Sequence, residues 1–343
     1  MAYHFKNLVF EGGGVKGIAY VGAMEVLDKT GILKDVRRVA GTSAGAMMAV
    51  MVALRYTAAE MKEVLWNIDF KEFMDSSKGI FRDINRLRKD FGWYKGDYFR
   101  EQMAQIIKKK TGSGETTFAD LEMLGKYPDL YLVGADLTTG LSKMFSAKNQ
   151  DTKNVKIADA ARISMSIPLF YAAVRGGKNN KHVYVDGGLL DNYSIKTFDR
   201  QNYLIDANNA RRTDYYQKIN EMLKMQRSAG SPNEYVYNKE TLGFRLDAKE
   251  EIAMYLNHEE NCKQIDDFFD YTKALVTTLI DFQSNYHLHS DDWQRTVYID
   301  TLGVSPIDFK ISDDMKRELV KSGKLYTEAY LEWYNNDEAK ANK

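Results

Sequence analysis

Along the first fifty residues, the pattern of apolar and polar positions switches twice between two periods. A short continuous apolar run, Leu8-Val9-Phe10, meets a glycine cluster and then a helical stretch from Lys16 to Thr30. A second run, Val36 to Ala40, meets glycine again and then a helical stretch from Ala44 to Tyr56. Runs of this length bounded by glycine suit buried strands. Strands separated by helices need crossover connections, which make them parallel and cover the sheet on both faces. The predicted fold class is α/β: three layers, α/β/α, with a mainly parallel central sheet and helical insertions forming a cap.

From Thr57 to about Gly114 the pattern is helical, and between Trp66 and Arg100 aromatics interleave with charges of both signs. A packed helical cap is expected there in preference to a membrane-facing lid. Leu130 to Ala135 and Ser142 to Ser146, joined across Asp136-Leu-Thr-Thr-Gly140, predict a hairpin, and Val155 to Ser166 predicts a helix closed by Pro168. Val183-Tyr-Val185 enters Asp186-Gly-Gly188 as a short strand, and Tyr203 to Ile205 reads as another. Helical patterns dominate from Asp214 to about Leu288, including Asp267 to His287 with Phe268, Tyr271, Leu275, Leu279 and Phe282 on one face. That stretch is expected to cover the sheet rather than join it. Thr296 to Ile299 alternates like a strand, and Asp313 to Tyr334 predicts a closing helix. With no repeat, linker-like composition or low-complexity tract, the expectation is one domain over 1–343. Its core spans about 5–206, with a helical insertion at about 57–114 and a helical extension at about 207–343.

Composition narrows the function classes. A chain of 343 residues that is 44% hydrophobic can bury a sizeable core, which argues against intrinsic disorder. Forty-eight Lys plus Arg balance 48 Asp plus Glu, so no global field holds nucleic acid or an anionic membrane, and no nucleic-acid partner is expected. The single cysteine, Cys262, excludes an intrachain disulfide framework and a multi-cysteine zinc site, and suits a reducing compartment. It sits in no motif. Only 4 prolines favour long helices. The N-terminus lacks the basic and apolar regions of a secretory signal. The longest charge-free stretch, Ala40 to Leu54, falls short of the ~20 residues that span a bilayer. A soluble, cytoplasmic protein without a transmembrane segment is expected; export as an effector by another route stays compatible.

Chemistry concentrates in the two glycine turns. Gly12-Gly-Gly-Val-Lys-Gly17 satisfies G-x-G-x-x-G through Gly12, Gly14 and Gly17, the fingerprint of a nucleotide-binding protein. That reading wants an acidic residue at the end of the second strand, but Asp35 precedes it. The strand runs instead into Gly41-Thr-Ser43-Ala-Gly45, a G-x-S-x-G turn of the kind that presents a nucleophile. The same residues also suit a capping turn with Ser43 as N-cap. A second glycine loop at the end of the preceding strand offers backbone N–H groups to a developing oxyanion, and the two turns together point to acyl transfer. The base is open between the five histidines, His4, His182, His258, His287 and His289, and a strand-end carboxylate. None of the histidines lies in a motif. The last three match the order of an α/β-hydrolase triad, yet that fold places several strands before its serine, and here there is one. Asp186 is the carboxylate candidate, though Asp186-Gly187 also suits a plain turn.

Four ordered segments, Gly12-Gly-Gly-Val-Lys-Gly17, Gly41-Thr-Ser-Ala-Gly45, Ser164-Met-Ser-Ile-Pro-Leu-Phe170 and Asp186-Gly-Gly188, resemble the patatin-like phospholipase family over most of the chain. The resemblance implies an α/β/α acyl hydrolase with a Ser/Asp dyad and no histidine, Ser43 as nucleophile and Asp186 as base. It implies an oxyanion hole from the N–H groups of Gly12, Gly13 and Gly14, and no metal or organic cofactor. Lys16 matches a position where Arg or Lys is common; it is a candidate for a lipid phosphate and equally an exposed first-turn lysine. Ser164 and Ser166 are read as packing and turn residues, and Lys108 to Lys110 as a solvated helix end. The expected substrate is an ester-linked fatty acyl group of a phospholipid or lysophospholipid at a membrane or micelle surface. The alternatives are a thioesterase or acyl-carrier acyl transferase with the same site, a nucleotide-binding protein, and a catalytically silent lipid-binding module.

Overall fold

Side chains alternate across the central strands, and that alternation sets the layers. The structure, a computed structural model, describes residues 3–75, 80–226, 233–247, 265–267, 270–272, 274–275, 278–279 and 291–336. Its strands are β1 (Asn7–Phe10), β2 (Arg38–Thr42), β3 (Gly92–Tyr94), β4 (Asp129–Asp136), β5 (Leu141–Phe145), β6 (Leu169–Tyr171), β7 (Val174–Gly176), β8 (His182–Asp186), β9 (Ala210–Arg211), β10 (Tyr237–Asn238), β11 (Thr241–Asp247) and β12 (Thr296–Asp300). The helices are α1 (Tyr20–Lys29), α2 (Ile32–Asp35), α3 (Ala44–Ala53), α4 (Ala58–Asn67), α5 (Ile80–Asp90), α6 (Asp97–Thr111), α7 (Phe118–Met123), α8 (Ile157–Ser164), α9 (Asp214–Gln226) and α10 (Asp313–Asn335).

The main sheet runs β12-β11-β1-β2-β4 with every pair parallel; β5, β8 and β7 then continue it antiparallel. Leu8 and Phe10 of β1, Val39 of β2, and Leu130 and Leu132 of β4 enter the large core on one face. Their neighbours Val9, Ala40 and Tyr131 enter a smaller cluster on the other, with Tyr193, Ile195 and Phe198. The large core is centred on α3, in which all ten residues are buried. A helix apolar on every side belongs inside a protein or a membrane. Here it lies against β1, β2 and β4, and no helix among the described residues is long and apolar enough to cross a membrane.

The hairpin, the helix before Pro168 and the closing helix form as expected, as β4 with β5, α8 and α10. Other expectations are corrected. The helical extension at 207–343 contributes, besides the expected strand at Thr296 to Ile299 (β12), the unexpected β11, which lies between β12 and β1. A strand buried on both faces shows no alternation, and Gly243 and the buried Arg245 interrupt its apolar run. Tyr203 to Ile205 is no strand: a 3-10 turn covers Gln201–Tyr203, and the Tyr203 ring packs edge-on against Phe198. The stretch from Lys16 starts as a 3-10 turn, Gly14–Ala19, before α1. Among its described residues the 57–114 stretch holds α4, α5, α6 and a 3-10 turn, and also the three-residue strand β3, which pairs with β6. Phe268 and Phe282, like Cys262, His258, His287 and His289, lie outside the described residues.

A buried charge cluster ties the C-terminal strands to the rest. Arg295, just before β12, is fully buried and forks onto Asp199 with two bonds of 2.6 Å, while Nη2 also reaches Asp292 at 2.6 Å. Its Nη1 donates to Asn238 O, and the Tyr216 hydroxyl donates to Asp199. Removing Asp199 takes the bidentate carboxylate from a buried guanidinium and the acceptor from the buried Tyr216 hydroxyl, and leaves Asp292 to balance the charge. Asp199→Ala is therefore expected to cost about 3–5 kcal/mol of unfolding free energy. Urea titration measures it, and a change below about 1 kcal/mol, the scale of a surface pair, would contradict this role.

Candidate active site

Two strand ends meet head-on within the sheet. β2 pairs with β4 as far as Thr42 opposite Val133, while β8, running the other way, pairs with β4 as far as Asp186 opposite Gly134. Because β5 occupies the other edge of β4 over the same residues, β2 and β8 share one edge and their last residues become neighbours. Ser43 comes directly after Thr42, and its Oγ donates to Asp186 Oδ2 at 2.8 Å.

The elbow at Ser43 is strained. Its φ of 54° and ψ of −124° lie in a region that residues with a Cβ avoid, at a cost of ~1–3 kcal/mol. Gly45 permits the turn, because a Cβ there would stand 2.3 Å from Phe10 O. Ser164 Oγ holds the strained residue, accepting from Ser43 N–H at 2.8 Å and donating to Val133 O at 2.6 Å. Thr42 Oγ1 donates to Asp191 O at 3.0 Å. Ser164 thus seats the serine's backbone, a role beyond the packing expected of it. The capping alternative for Ser43 falls away, since its hydroxyl caps nothing in α3.

Asp186 both closes the turn and faces the serine. Oδ1 accepts from Gly188 N–H at 2.7 Å, which makes the Asp-Gly turn, and Oδ2 faces Ser43. With the residue 4% exposed, burial pushes its carboxyl up to about 7, against the opposing pull of the Gly188 N–H and the Ser43 hydroxyl. A carboxylate titrating there is matched to taking a proton near neutral pH.

The glycine loop meets the expectation in part. Gly12 lies against Ser43, but its N–H donates to Asn192 O at 3.1 Å, and Asn192 Nδ2 donates back to Gly12 O at 3.2 Å. Gly12 is therefore committed elsewhere, which corrects its place as an oxyanion donor. Among the described residues, the N–H groups of Gly13 and Gly14 have no acceptor. Lys16 is buried instead of exposed, and its charge acts on the buried Glu11 carboxyl. His4 bonds Lys239 O and the Tyr334 hydroxyl, and His182 Nδ1 lies 2.6 Å from Asp136 Oδ2. Neither touches Ser43 or Asp186.

An apolar pocket opens beside the serine, lined by Ala44, Met47, Met48 and Met51 of α3, by Leu65, Phe70 and Phe73 of the cap, and by Met165 and Phe309. From Ala44 to Met51 the helix rises about 10 Å. Nothing in the sequence marked Phe309 or Asn192. Asn192 stands six residues beyond Asp186, a spacing that carries no chemistry until the turn is folded.

Residues 8–199 match the model of the family described as patatin-like phospholipase. The chain is 28% identical to the uncharacterized protein YqhO of Bacillus subtilis over 333 residues, 94% of this chain and 97% of that protein. It is 24% identical to the probable lipid hydrolase 463L of Invertebrate iridescent virus 6, covering 56% of this chain and 62% of that one. It is 23% identical to the cGAMP-activated phospholipase of Pseudomonas aeruginosa, covering 57% of each. Among solved structures, VipD from Legionella pneumophila shares the fold with a TM-score of 0.54 at 16% identity, over 96% of this chain and 67% of that one. The matched stretch begins in β1 and ends just past the aspartate turn, more than half of the chain with serine, aspartate and glycine loop inside it, and so the chain belongs to the patatin-like phospholipase family.

Proposed function

We propose that this protein is a serine acyl hydrolase that cleaves ester-linked fatty acyl groups of phospholipids or lysophospholipids through Ser43 and Asp186. The observation that carries the reading is the 2.8 Å bond from the elbow serine to a buried carboxylate. Ser43 Oγ attacks the ester carbonyl as its proton passes to Asp186 Oδ2, and the N–H groups of Gly13 and Gly14 hold the oxyanion. The carbon–oxygen bond to the leaving alcohol then breaks, and Asp186 returns the proton to that oxygen. Water attacks the acyl-serine, gives a proton to Asp186, and Ser43 regains it as the fatty acid departs. The methionine-lined pocket, about 20 Å³ in this structure, widens to take the acyl chain.

A lipid as substrate is supported by that pocket and by the names of the viral lipid hydrolase and the bacterial phospholipase. The zero net charge leaves apolar contact, rather than a global field, to bring the site to a membrane or micelle surface. A dinucleotide fits the loop less well. Asn192 occupies Gly12 N–H, and Pro306 O accepts from Val15 N–H in front of the loop.

Incubation with a fluorophosphonate and peptide mapping tests the nucleophile: the label is expected on Ser43. A folded wild-type protein that stays unlabelled, or is labelled elsewhere, removes the reading. Asp186→Asn is expected to lower kcat by a thousandfold or more, about 4 kcal/mol of transition-state stabilisation. Replacing His4, His182, His258, His287 or His289 singly by Ala should leave most of the activity, and a folded histidine variant with a thousandfold loss would establish a triad instead.

The same aspartate should cost stability. Its carboxyl binds a proton more tightly in the folded state, so the fold loses free energy as pH rises from the ordinary carboxylate range through about 7. Asp186→Asn removes that loss, and at pH 8 it is expected to raise unfolding free energy by on the order of 2–4 kcal/mol. Equal or lower stability of the variant at pH 8 would show that the carboxylate is not held at a cost.

A further inference from the structure

Each glycine of the loop is held by a different partner, and two of the three come from beyond residue 240. Asn192 takes both backbone groups of Gly12. Leu246 Cδ1 lies 2.6 Å from where a Cβ on Gly13 would stand. Pro306 O accepts from Val15 N–H at 2.9 Å and lies 1.9 Å from where a Cβ on Gly14 would stand. The loop is wedged between these neighbours rather than hanging free at the end of β1.

Leu246 is itself fixed by the residue that begins the loop. Glu11, 2% exposed, donates its N–H to Phe244 O at 3.1 Å and accepts from Leu246 N–H on Oε2 at 2.8 Å. Its Oε1 faces Arg245 Nε at 3.5 Å, and the Tyr20 hydroxyl donates to its carbonyl at 2.7 Å. Such a buried ion pair is a poor source of stability, because desolvation offsets the attraction. What it does supply is register: it locks the end of β11 against the root of the loop.

We infer that Leu246, set in place through Glu11, is a positioning residue for the oxyanion hole: its side chain is the wall that fixes the direction of the Gly13 N–H. The inference rests on the reading that Gly13 and Gly14 stabilise the oxyanion. A glycine explores more backbone conformations than any other residue, so an unwalled Gly13 would spend part of its time with the N–H aimed away. A misplacement of about 1 Å in such a site can cost about a hundredfold in rate. Leu246 does not line the acyl pocket, so its effect should fall on turnover and spare substrate binding. The catalytic unit accordingly extends to β11, well past the stretch that matches the family.

The test is a graded series, Leu246→Met, Leu246→Val and Leu246→Ala, in the full chain. It is read by kcat and KM on a p-nitrophenyl acyl ester and by the rate of fluorophosphonate labelling at Ser43. Leu246→Ala is expected to lower kcat and the labelling rate together by about 10- to 100-fold, with KM within about twofold. Leu246→Met should recover to within about threefold, and Leu246→Val should fall between. Folded variants that turn over at the wild-type rate, or that lose activity through KM alone, would overturn the inference while leaving the hydrolase reading in place. Should Leu246→Ala not fold, Leu246→Val decides the matter by the same split. A wild-type protein without labelling at Ser43 would instead overturn the hydrolase reading and this inference with it.

Discussion

Everything in the site depends on one feature of strand pairing: β2 and β8 share a single edge of β4 and end against each other. Thr42 opposite Val133 and Asp186 opposite Gly134 are consecutive rungs of the same ladder, approached from opposite directions. That register brings together two residues 143 positions apart, close enough for a 2.8 Å bond without help from a flexible loop. A slip of one residue in either strand would turn one of the two side chains to the other face of the sheet. The hydrophobic alternation that divides Leu130 and Leu132 from Tyr131 guards against such a slip, so packing of the core and placement of the chemistry are the same constraint.

The fold carries two local costs there. Ser43 is held in a backbone conformation that a Cβ disfavours, and Asp186 is buried where its charged form is poorly solvated. Ser164 and Gly188 offset part of each through hydrogen bonds. The large core around α3 supplies the rest of the stability that lets such a site persist. Beside this pair the glycine loop turns the N–H groups of Gly13 and Gly14 away from any protein acceptor among the described residues, and Gly14 also lines the apolar pocket walled by methionines and phenylalanines.

Ser43 and Asp186 were legible from the chain because their signals are local: each comes at the end of a short strand, and each is flanked by glycines that a tight turn requires. Their meeting was not legible, since it depends on register within the sheet. The commitment of Gly12 was hidden for a related reason, because its partner Asn192 lies 180 residues away and becomes one only when the aspartate turn folds back. β11 leaves no strand pattern in the sequence, because a strand buried on both faces does not alternate and Arg245 reads as surface until Glu11 and Asp247 are seen beside it. At Tyr203 to Ile205, three apolar or aromatic residues are too few to separate a strand from a turn that packs one ring.

The central claim is that a buried aspartate, titrating near neutrality, is the base for Ser43. The most direct measurement is the pH dependence of the second-order rate of fluorophosphonate inactivation, in wild type and in Asp186→Asn, between about pH 5 and 9. The wild-type rate is expected to rise with pH through one ionisation near 7 and then level, and the variant to be slow at every pH with that ionisation gone. A wild-type rate independent of pH over that range, or the same ionisation persisting in Asp186→Asn, would contradict the claim.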